Sequence, residues 1–252
     1  MHETESRPGL IPAVTEQEAR EQLAALYRLY VYFGWTDLIF THASARVPES
    51  PEHYLIKADD MMLDEVSASN LIMLDMDGNL VAGDYPPNQA GHLIHSAVLN
   101  TRREVNFVAH THSRAGAAVS CMQGGLLPLS QHANIILPTV TYHKYRDVTS
   151  AATECDALAR DLGSHHLMIL HNHGLLSAGR TVAECFYYLY YLEMACKIQV
   201  DVLASGQKPI LAEKDIVDGL FHDRGMPEQQ PGGARCWISA VRMLERQGIE
   251  FR

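Results

Sequence analysis

The chain has 252 residues, of which 47% are hydrophobic and 20% charged, a composition typical of a globular protein and not of a disordered chain. Its 30 acidic and 20 basic residues give a formal net charge of −10. This charge argues against a nucleic-acid-binding surface, because affinity for nucleic acids depends on Lys and Arg. The unusual number is 14 histidines, since histidine is the most common metal ligand and an acid–base residue near neutral pH.

The cysteines and the N-terminal segment indicate the cellular compartment. Five cysteines, odd in number and without a C-x-x-C pair, predict neither a disulfide framework nor a cysteine zinc site. The N-terminus carries acidic residues where a signal peptide would be basic, and no segment has the pattern of a membrane span. We therefore expect a cytoplasmic protein without a membrane partner, with a flexible tail over residues 1–14 and a single domain over residues 15–252.

The first half of the chain predicts helices and strands in alternation. Thr15 and Glu18 have the form of a capping box, and apolar residues at helical spacing continue to Gly34, which predicts the first helix. Asp77 and Gly78 lie between two apolar runs and predict a β-hairpin. The remaining elements predicted here are strands over residues 37–40, 54–56, 71–74, 80–81 and 105–109, and a helix over 89–100.

The second half continues the alternation and predicts helices over residues 150–162, 181–204 and 237–246 and a strand over 167–170. In the 181–204 helix, Glu193, Lys197 and Asp201 are four residues apart and predict one narrow polar stripe. Apolar residues cover its other sides, which is typical of a buried helix. Together the elements predict a single α/β domain with a mixed sheet.

Two His-x-His pairs follow apolar strands and are the first chemical signal. His110 and His112 share one face of a strand that continues this far, so two imidazoles there can bind one divalent cation. His171 and His173 form the second pair, from which a third ligand can come. About one such pair would occur by chance among 14 histidines in 252 residues, so the shared strand face carries the argument. The alternative, that these imidazoles bind backbone groups at strand ends, stays open at this point.

Three motifs resemble the class II aldolase and adducin head-domain family. They are N-Q-A-G-H-L-I-H-S-A-V over residues 88–98, V-A-H-T-H-S-R-A-G over 108–116 and I-L-H-N-H-G-L-L-S-A-G over 169–179. The resemblance covers roughly residues 15–220. It implies a three-layer α/β/α fold with a central mixed, mainly antiparallel sheet. It also implies a homotetramer with active sites at subunit interfaces.

The resemblance implies a metal site as well. In the aldolases the H-x-H histidines and the N-H-G histidine hold one divalent ion, so His110, His112 and His173 are the expected ligands here. Zn²⁺ is the expected ion, and Fe²⁺, Mn²⁺ or Co²⁺ also suit three neutral imidazoles. The implied chemistry is a retro-aldol cleavage, in which the metal stabilises the negative charge that develops when the C–C bond breaks.

Departures from the aldolase pattern bear on the substrate. Gly91 stands where the sugar-phosphate aldolases carry an acid/base glutamate, which is the adducin-like form of the motif. His42, Asp59 and Asp60 stand where those aldolases bind the substrate phosphate. Since two carboxylates repel a phosphate, we expect a substrate that is not a sugar phosphate.

These departures leave other candidates for catalysis and binding. His132 and Tyr142, the latter in a Tyr-His-Lys-Tyr cluster over residues 142–145, are the candidate catalytic residues. His42, Asp59, Asn88 and Gln89 are the candidate substrate-binding residues, the last two because a helix N-terminus favours an anion. We expect His95 to pack or to orient a ligand histidine. We also expect a structural ion pair between Asp37 and Arg46.

The preferred hypothesis is a metal-dependent lyase that cleaves a C–C bond, by retro-aldol reaction or decarboxylation, in a small hydroxy or oxo carboxylic compound. One alternative is a non-haem Fe(II) oxygenase on the same fold. The other is a non-catalytic, adducin-like assembly module, for which the retained histidine trio is unnecessary.

Overall fold

The computed structural model describes residues 9, 12–144, 151–225 and 232–252. Its strands are β1 (His42–Val47), β2 (Ser50–Ile56), β3 (Ile72–Asp75), β4 (Leu80–Ala82), β5 (Phe107–Thr111), β6 (Val140–His143), β7 (Leu167–Leu170) and β8 (Gly174–Gly179). Its α-helices are α1 (Glu16–Phe33), α2 (Gln89–Thr101), α3 (Arg114–Ser120), α4 (Gln131–Ile136), α5 (Ala151–Leu162), α6 (Val182–Ala204), α7 (Lys214–Leu220) and α8 (Gly232–Arg246). A 3-10 turn (Leu137–Thr139) follows α4, and a π-helical turn (Phe221–Gly225) follows α7.

The strands form one sheet in the order β4-β3-β2-β1-β5-β8-β7-β6. Neighbouring strands are antiparallel except β6 and β7, which are parallel. The predicted mixed, mainly antiparallel sheet is therefore confirmed. Strand β5 lies near the middle, where His110 pairs with His42 of β1 on one side and with Leu176 of β8 on the other.

Helices cover both faces of this sheet. Helices α1, α6 and α8 pack on one another, and α6 contacts β5 and β8. Helices α2 and α5 also pack on one another, and α2 contacts β1 and β5. Because successive strand residues point to opposite faces, each layer buries its own set of side chains. The three-layer α/β/α order is thus confirmed.

Local signals in the sequence mark the helix ends correctly. The Thr15 hydroxyl accepts a hydrogen bond from the Glu18 N–H and caps α1, while Gly34 ends the helix with a left-handed φ of 70°. Thr181 caps α6 in the same way through the Glu184 N–H. The Asp-Gly turn also joins β3 to β4, with Gly78 at φ 87°. These signals are short-range, which explains why the sequence alone reveals them.

The longest described helix, α6, differs from the predicted polar stripe. Its 23 residues are buried along most of their length, and Glu193 is completely buried, whereas Asp201 is exposed. The Glu193 end of the polar stripe therefore faces the core, because this part of α6 lies against β5. No helix in the described ranges is long and apolar enough to cross a membrane.

The segment before β1 contradicts two predictions. Residues 37–40 form a turn instead of a strand, with Leu38 in the left-handed region at φ 48°. The expected Asp37–Arg46 ion pair is also wrong. The buried Arg46 guanidinium donates to four carbonyl oxygens, those of Pro51, Leu99, Arg102 and Val105. Arg46 thus joins β1 to the start of β2, the end of α2 and the segment before β5.

This role of Arg46 predicts a large loss of stability for Arg46→Met, which keeps the unbranched apolar stem and leaves four carbonyls without their donor. We expect the free energy of unfolding to fall by about 3 kcal/mol. Asp37→Ala is expected to change it by less than about 0.5 kcal/mol, since the carboxylate is half exposed. Denaturant titration measures both values, and equal losses would restore the ion-pair interpretation.

Candidate metal centre

The first two histidines of the site come from the end of β5. His110 is completely buried, and its Nδ1 donates to the carbonyl oxygen of Leu175 at 2.9 Å. His112 is the first residue after the strand, and its Nδ1 donates to the Asp37 carboxylate at 3.0 Å. Because Nδ1 is the donor in both rings, Nε2 is the atom of each ring that is left to bind a metal ion.

The third histidine comes from the turn between β7 and β8. Asn172 adopts a left-handed φ of 56°, a conformation that Asn tolerates better than most residues. Its N–H binds the carbonyl oxygen of Ser120, and the N–H of His173 binds the Ser120 hydroxyl at 3.2 Å. A Cβ atom on Gly174 would lie 2.2 Å from the Thr111 carbonyl oxygen. Only glycine therefore permits the close approach that brings His173 to β5.

The three Nε2 atoms converge on one point. The distance from His110 to His112 is 2.8 Å, from His112 to His173 2.8 Å, and from His110 to His173 3.3 Å. A tetrahedral ion with Zn–N bonds of about 2.0–2.1 Å would separate its ligands by roughly 3.3 Å. The three nitrogen atoms thus fit one divalent cation, and among the described residues these histidines form the group that could hold a metal ion.

Electrostatics also favour a cation at this point. Burial lowers the pKa of His110 well below its usual value, and the neighbouring histidines lower it further. Burial followed by His112 lowers the pKa of His173 to about 4. These two imidazoles are therefore neutral at neutral pH, and close lone pairs without a proton repel one another. A bound metal ion removes that repulsion. Neutral nitrogen donors are also the ligands that a divalent site needs.

Beside the three ligands lies a buried chain of polar groups. His42 Nδ1 is 2.7 Å from His95 Nε2, and His95 Nδ1 is 2.6 Å from the Ser44 hydroxyl. The ring of His42 is 5.0 Å from that of His110. Burial lowers the pKa of both His42 and His95 well below the usual value. Hence His95 orients His42, and His42 reaches the metal ligands as a neutral ring.

The helix that carries His95 begins at the predicted substrate-binding residues. The side chain of Asn88 caps α2 by accepting from the Gly91 N–H at 2.6 Å, and Gln89 is the exposed first residue of the helix. A Cβ atom on Gly91 would lie 3.2 Å from the ring of His42. Asn88 thus shapes this helix end, whereas a role in binding substrate stays a prediction for both residues.

The other predicted site residues lie in different surroundings. Asp59 is partly buried, and its N–H binds the carbonyl oxygen of Pro86. The ring of His132 on α4 lies 5.4 Å from that of Tyr191. The Tyr142 hydroxyl accepts from the Leu126 N–H at 3.0 Å, and burial raises its pKa. These contacts do not join His132 or Tyr142 to the three ligands, so their catalytic roles stay predictions.

The residues of the cluster over 142–145 have different surroundings. His143 is buried, and its ring nitrogens bind the carboxylates of Asp161 and Glu154 at 2.8 Å and 2.7 Å. Both ring nitrogens of His143 therefore have partners within this chain. Tyr145 lies outside the described residues.

The chain matches the family model of the Class II Aldolase and Adducin N-terminal domain over residues 21–200. The chain belongs to this family. A Caulobacter vibrioides protein named "Putative aldolase class 2 protein" is 42% identical over 234 residues, 92% of this chain and 91% of that protein. The mouse alpha-adducin is 41% identical over 198 residues, 77% of this chain and 27% of that protein. A crystal structure of an aldolase II superfamily protein from Pseudomonas syringae has a TM-score of 0.89 at 40% identity and covers 95% of this chain and 96% of that one.

Two features of this class II aldolase fold were not foreseen from the sequence. Asp37 is 75 residues from His112, and no local pattern connects them. Lys57 is 1% exposed, and its Nζ donates to the carbonyl oxygens of Ala58 and Asp59 at 2.9 Å and 3.4 Å. Burial lowers the pKa of Lys57 to about 8. A lysine after an apolar strand was a detectable signal, because the strand predicted over residues 54–56 ends directly before it.

The contact of Asp37 with His112 predicts weaker metal binding in Asp37→Ala. Loss of a carboxylate that orients a ligand histidine costs about 10–100-fold in metal affinity, and the exposure of Asp37 favours the lower figure. Asp37→Asn keeps an acceptor for Nδ1 and is expected to lose less. Competition with a chromophoric chelator measures the affinities. An unchanged affinity in Asp37→Ala would show that His112 needs no orienting partner.

The lowered pKa of Lys57 predicts a stability that depends on pH. Between the folded pKa of about 8 and the ordinary value of 10.5, the unfolded chain binds more protons, so this group makes the folded state more stable as pH rises. The stability of Lys57→Met relative to wild type is thus expected to fall by up to about 3 kcal/mol between about pH 7 and pH 10.5.

Urea unfolding at both pH values measures this difference. Lys208→Met, which changes an exposed lysine, serves as the control and is expected to show no such fall. An equal pH dependence of the two variants would contradict the assigned shift.

Proposed function

We propose that the protein is a metal-dependent lyase that cleaves a C–C bond in a small hydroxy or oxo carboxylic compound, by retro-aldol reaction or decarboxylation. The observation that carries this proposal is the convergence of three Nε2 atoms within 2.8–3.3 Å, two of them fixed by hydrogen bonds at Nδ1. A purely structural role needs no such convergence of three ring nitrogens.

In this proposal His110, His112 and His173 hold one divalent ion, with Zn²⁺ as the first choice and Fe²⁺, Mn²⁺ or Co²⁺ as other occupants. When bound, the ion supplies Lewis-acid stabilisation of the negative charge that C–C cleavage produces on a substrate oxygen. Three neutral ligands leave the positive charge of the ion uncompensated, which suits this task. Asp37 and Leu175 keep the ligand rings in the required tautomer.

Two departures from the aldolase pattern support a small, non-phosphorylated substrate. Gly91 lies against the ring of His42, where a Cβ atom would be only 3.2 Å from that ring. Asp59 and Asp60 place two carboxylates in the segment after β2, and these disfavour a phosphate dianion. In this proposal the candidate residues His132 and Tyr142 carry out proton transfer. Burial raises the pKa of Tyr142.

We further propose that the active form is a homo-oligomer, a tetramer in the family pattern, with the metal sites at subunit interfaces. The segment that carries Asp37 supports this assembly, because Leu38 and Phe40 are 64% and 50% exposed beside it. Val31 and Tyr32, at the end of α1, are also exposed apolar residues. A surface of this kind next to a metal site is typical of an interaction surface.

The experiment compares the wild type with His112→Ala. The wild type, stripped by a chelator and reloaded, is expected to bind one divalent ion per chain and to convert some member of a panel of hydroxy acids, aldols and dihydroxyaromatic acids. His112→Ala is expected to lose more than about 100-fold in metal affinity and to keep its circular dichroism spectrum. His222→Ala, which changes an exposed histidine, is the control and is expected to behave like the wild type.

The outcomes separate the other functions. The identity to alpha-adducin favours a non-catalytic assembly module as the second candidate. Metal binding without turnover of any compound, or no metal binding, would support that module and contradict the lyase. Oxygen consumption that follows iron content would point to a non-haem Fe(II) oxygenase instead.

A further inference from the structure

A buried carboxylate lies directly behind the metal-binding end of β5. Glu193 of α6 has no exposed surface, and α6 packs against β5 and β8. Lys197 is the cation whose charge acts on Glu193, and burial outweighs it, so the pKa of the carboxyl group is raised. Burial of such a group opposes folding unless its contacts compensate. Its position therefore calls for a function.

The contacts of Glu193 are with the residues on both sides of a metal ligand. Its Oε1 accepts a hydrogen bond from the Thr111 hydroxyl at 2.6 Å. The side chain of Ser113 is near enough to lower the pKa of the same carboxyl group, although burial raises it more. Thr111 and Ser113 flank His112 and, two residues apart, lie on the face of the backbone opposite to His110 and His112. The Glu193 carboxyl group thus holds the backbone from the face opposite to the imidazoles.

Three further observations set Glu193 apart from an ordinary buried hydrogen bond. In the described part of the chain, its Oε2 and the Thr41 hydroxyl are buried without a hydrogen-bond partner. Thr41 directly precedes His42, the residue that pairs with His110. Burial is the largest cause that raises the pKa of Tyr30, and the charge of Glu193 is a smaller one. Unsatisfied buried polar groups oppose stability and are retained mainly where function requires them.

We propose that Glu193 is a positioning residue for the metal centre. By holding Thr111, it fixes the direction of the backbone at residues 110–112, and so keeps the Nε2 atoms of His110 and His112 2.8 Å apart before an ion arrives. Ligands that are already in place lose less conformational entropy when the ion binds. The inference rests on the proposed metal function and adds that its affinity depends on a residue across the sheet.

The test uses substitutions that keep the volume of the core. Glu193→Leu removes both acceptors, and Thr111→Val removes only the donor hydroxyl. Glu193→Gln keeps a carbonyl oxygen that can accept from Thr111. Gln199→Leu is the matched control, because Gln199 is also completely buried on α6. Its side chain binds the Leu127 N–H at 2.7 Å and the Gly125 carbonyl oxygen at 2.8 Å, away from the ligands.

Zn²⁺ affinity by chelator competition and urea unfolding of the metal-free protein are measured for each variant. Glu193→Leu and Thr111→Val are expected to bind Zn²⁺ about 10–100-fold more weakly, in the range for groups that support ligands. Glu193→Gln is expected to recover most of this affinity. The double variant Glu193→Leu/Thr111→Val is expected to lose no more than Glu193→Leu, since both changes break one interaction. Gln199→Leu is expected to lose stability and to bind Zn²⁺ like the wild type.

Wild-type affinity in Thr111→Val and Glu193→Leu would overturn the inference and leave Glu193 a structural residue. An equal loss of affinity in Gln199→Leu would also overturn it, because general destabilisation of α6 would then explain the effect. If Glu193→Leu does not fold, Thr111→Val and Glu193→Gln decide the question. Failure of the wild type itself to bind any divalent ion is a separate result, which contradicts the proposed function before any variant is compared.

Discussion

The metal centre depends on the close approach of two backbone segments, the end of β5 and the start of β8. Thr111 pairs with Leu175, and a Cβ atom on Gly174 would lie 2.2 Å from the Thr111 carbonyl oxygen. The left-handed Asn172 directs the chain into this approach. Through it His173 meets His110, a residue 63 positions earlier in the chain. Without that approach the sheet would carry two histidines on a strand end, which is an incomplete site.

Burial gives these histidines their chemical character. The sheet and helices remove water from His110, and this lowers its pKa more than any single neighbouring charge does. His42 and His95 have neutral rings for the same reason. A neutral imidazole is the form that binds a metal ion. The fold therefore makes ligands by excluding solvent, and the hydrogen bonds at Nδ1 select which nitrogen stays free.

The two faces of the sheet carry different parts of the site around β5. On one face, His110 and His112 point toward His173. On the other face, Thr111 binds Glu193, which belongs to the helix that also forms a large part of the core. This division follows from the alternation of side chains along a strand. It connects the packing of α6 to the positions of the candidate ligands on the opposite face of β5.

Much of the architecture could be predicted because its signals are local. Thr15, Gly34 and Thr181 mark helix ends within one turn of where they act, and the Asp-Gly turn of the β3–β4 hairpin is equally short-range. The choice of His110, His112 and His173 needed the motif order in addition, since a strand end alone also allowed His171. The geometry of these three residues agrees with that choice, because their Nε2 atoms meet.

The sequence by itself determined the order of helices and strands, their caps and the candidate ligands, since these depend on residues a few positions apart. Only the tertiary structure decided that Asp37 contacts His112 instead of Arg46, that Arg46 joins four backbone carbonyls, and that Glu193 turns inward behind the site. These partners are 5 to 82 residues away along the chain, and most are brought together by strand register and helix packing. Such contacts leave no periodic trace in the sequence, because the same charged residues would suit an exposed surface equally well.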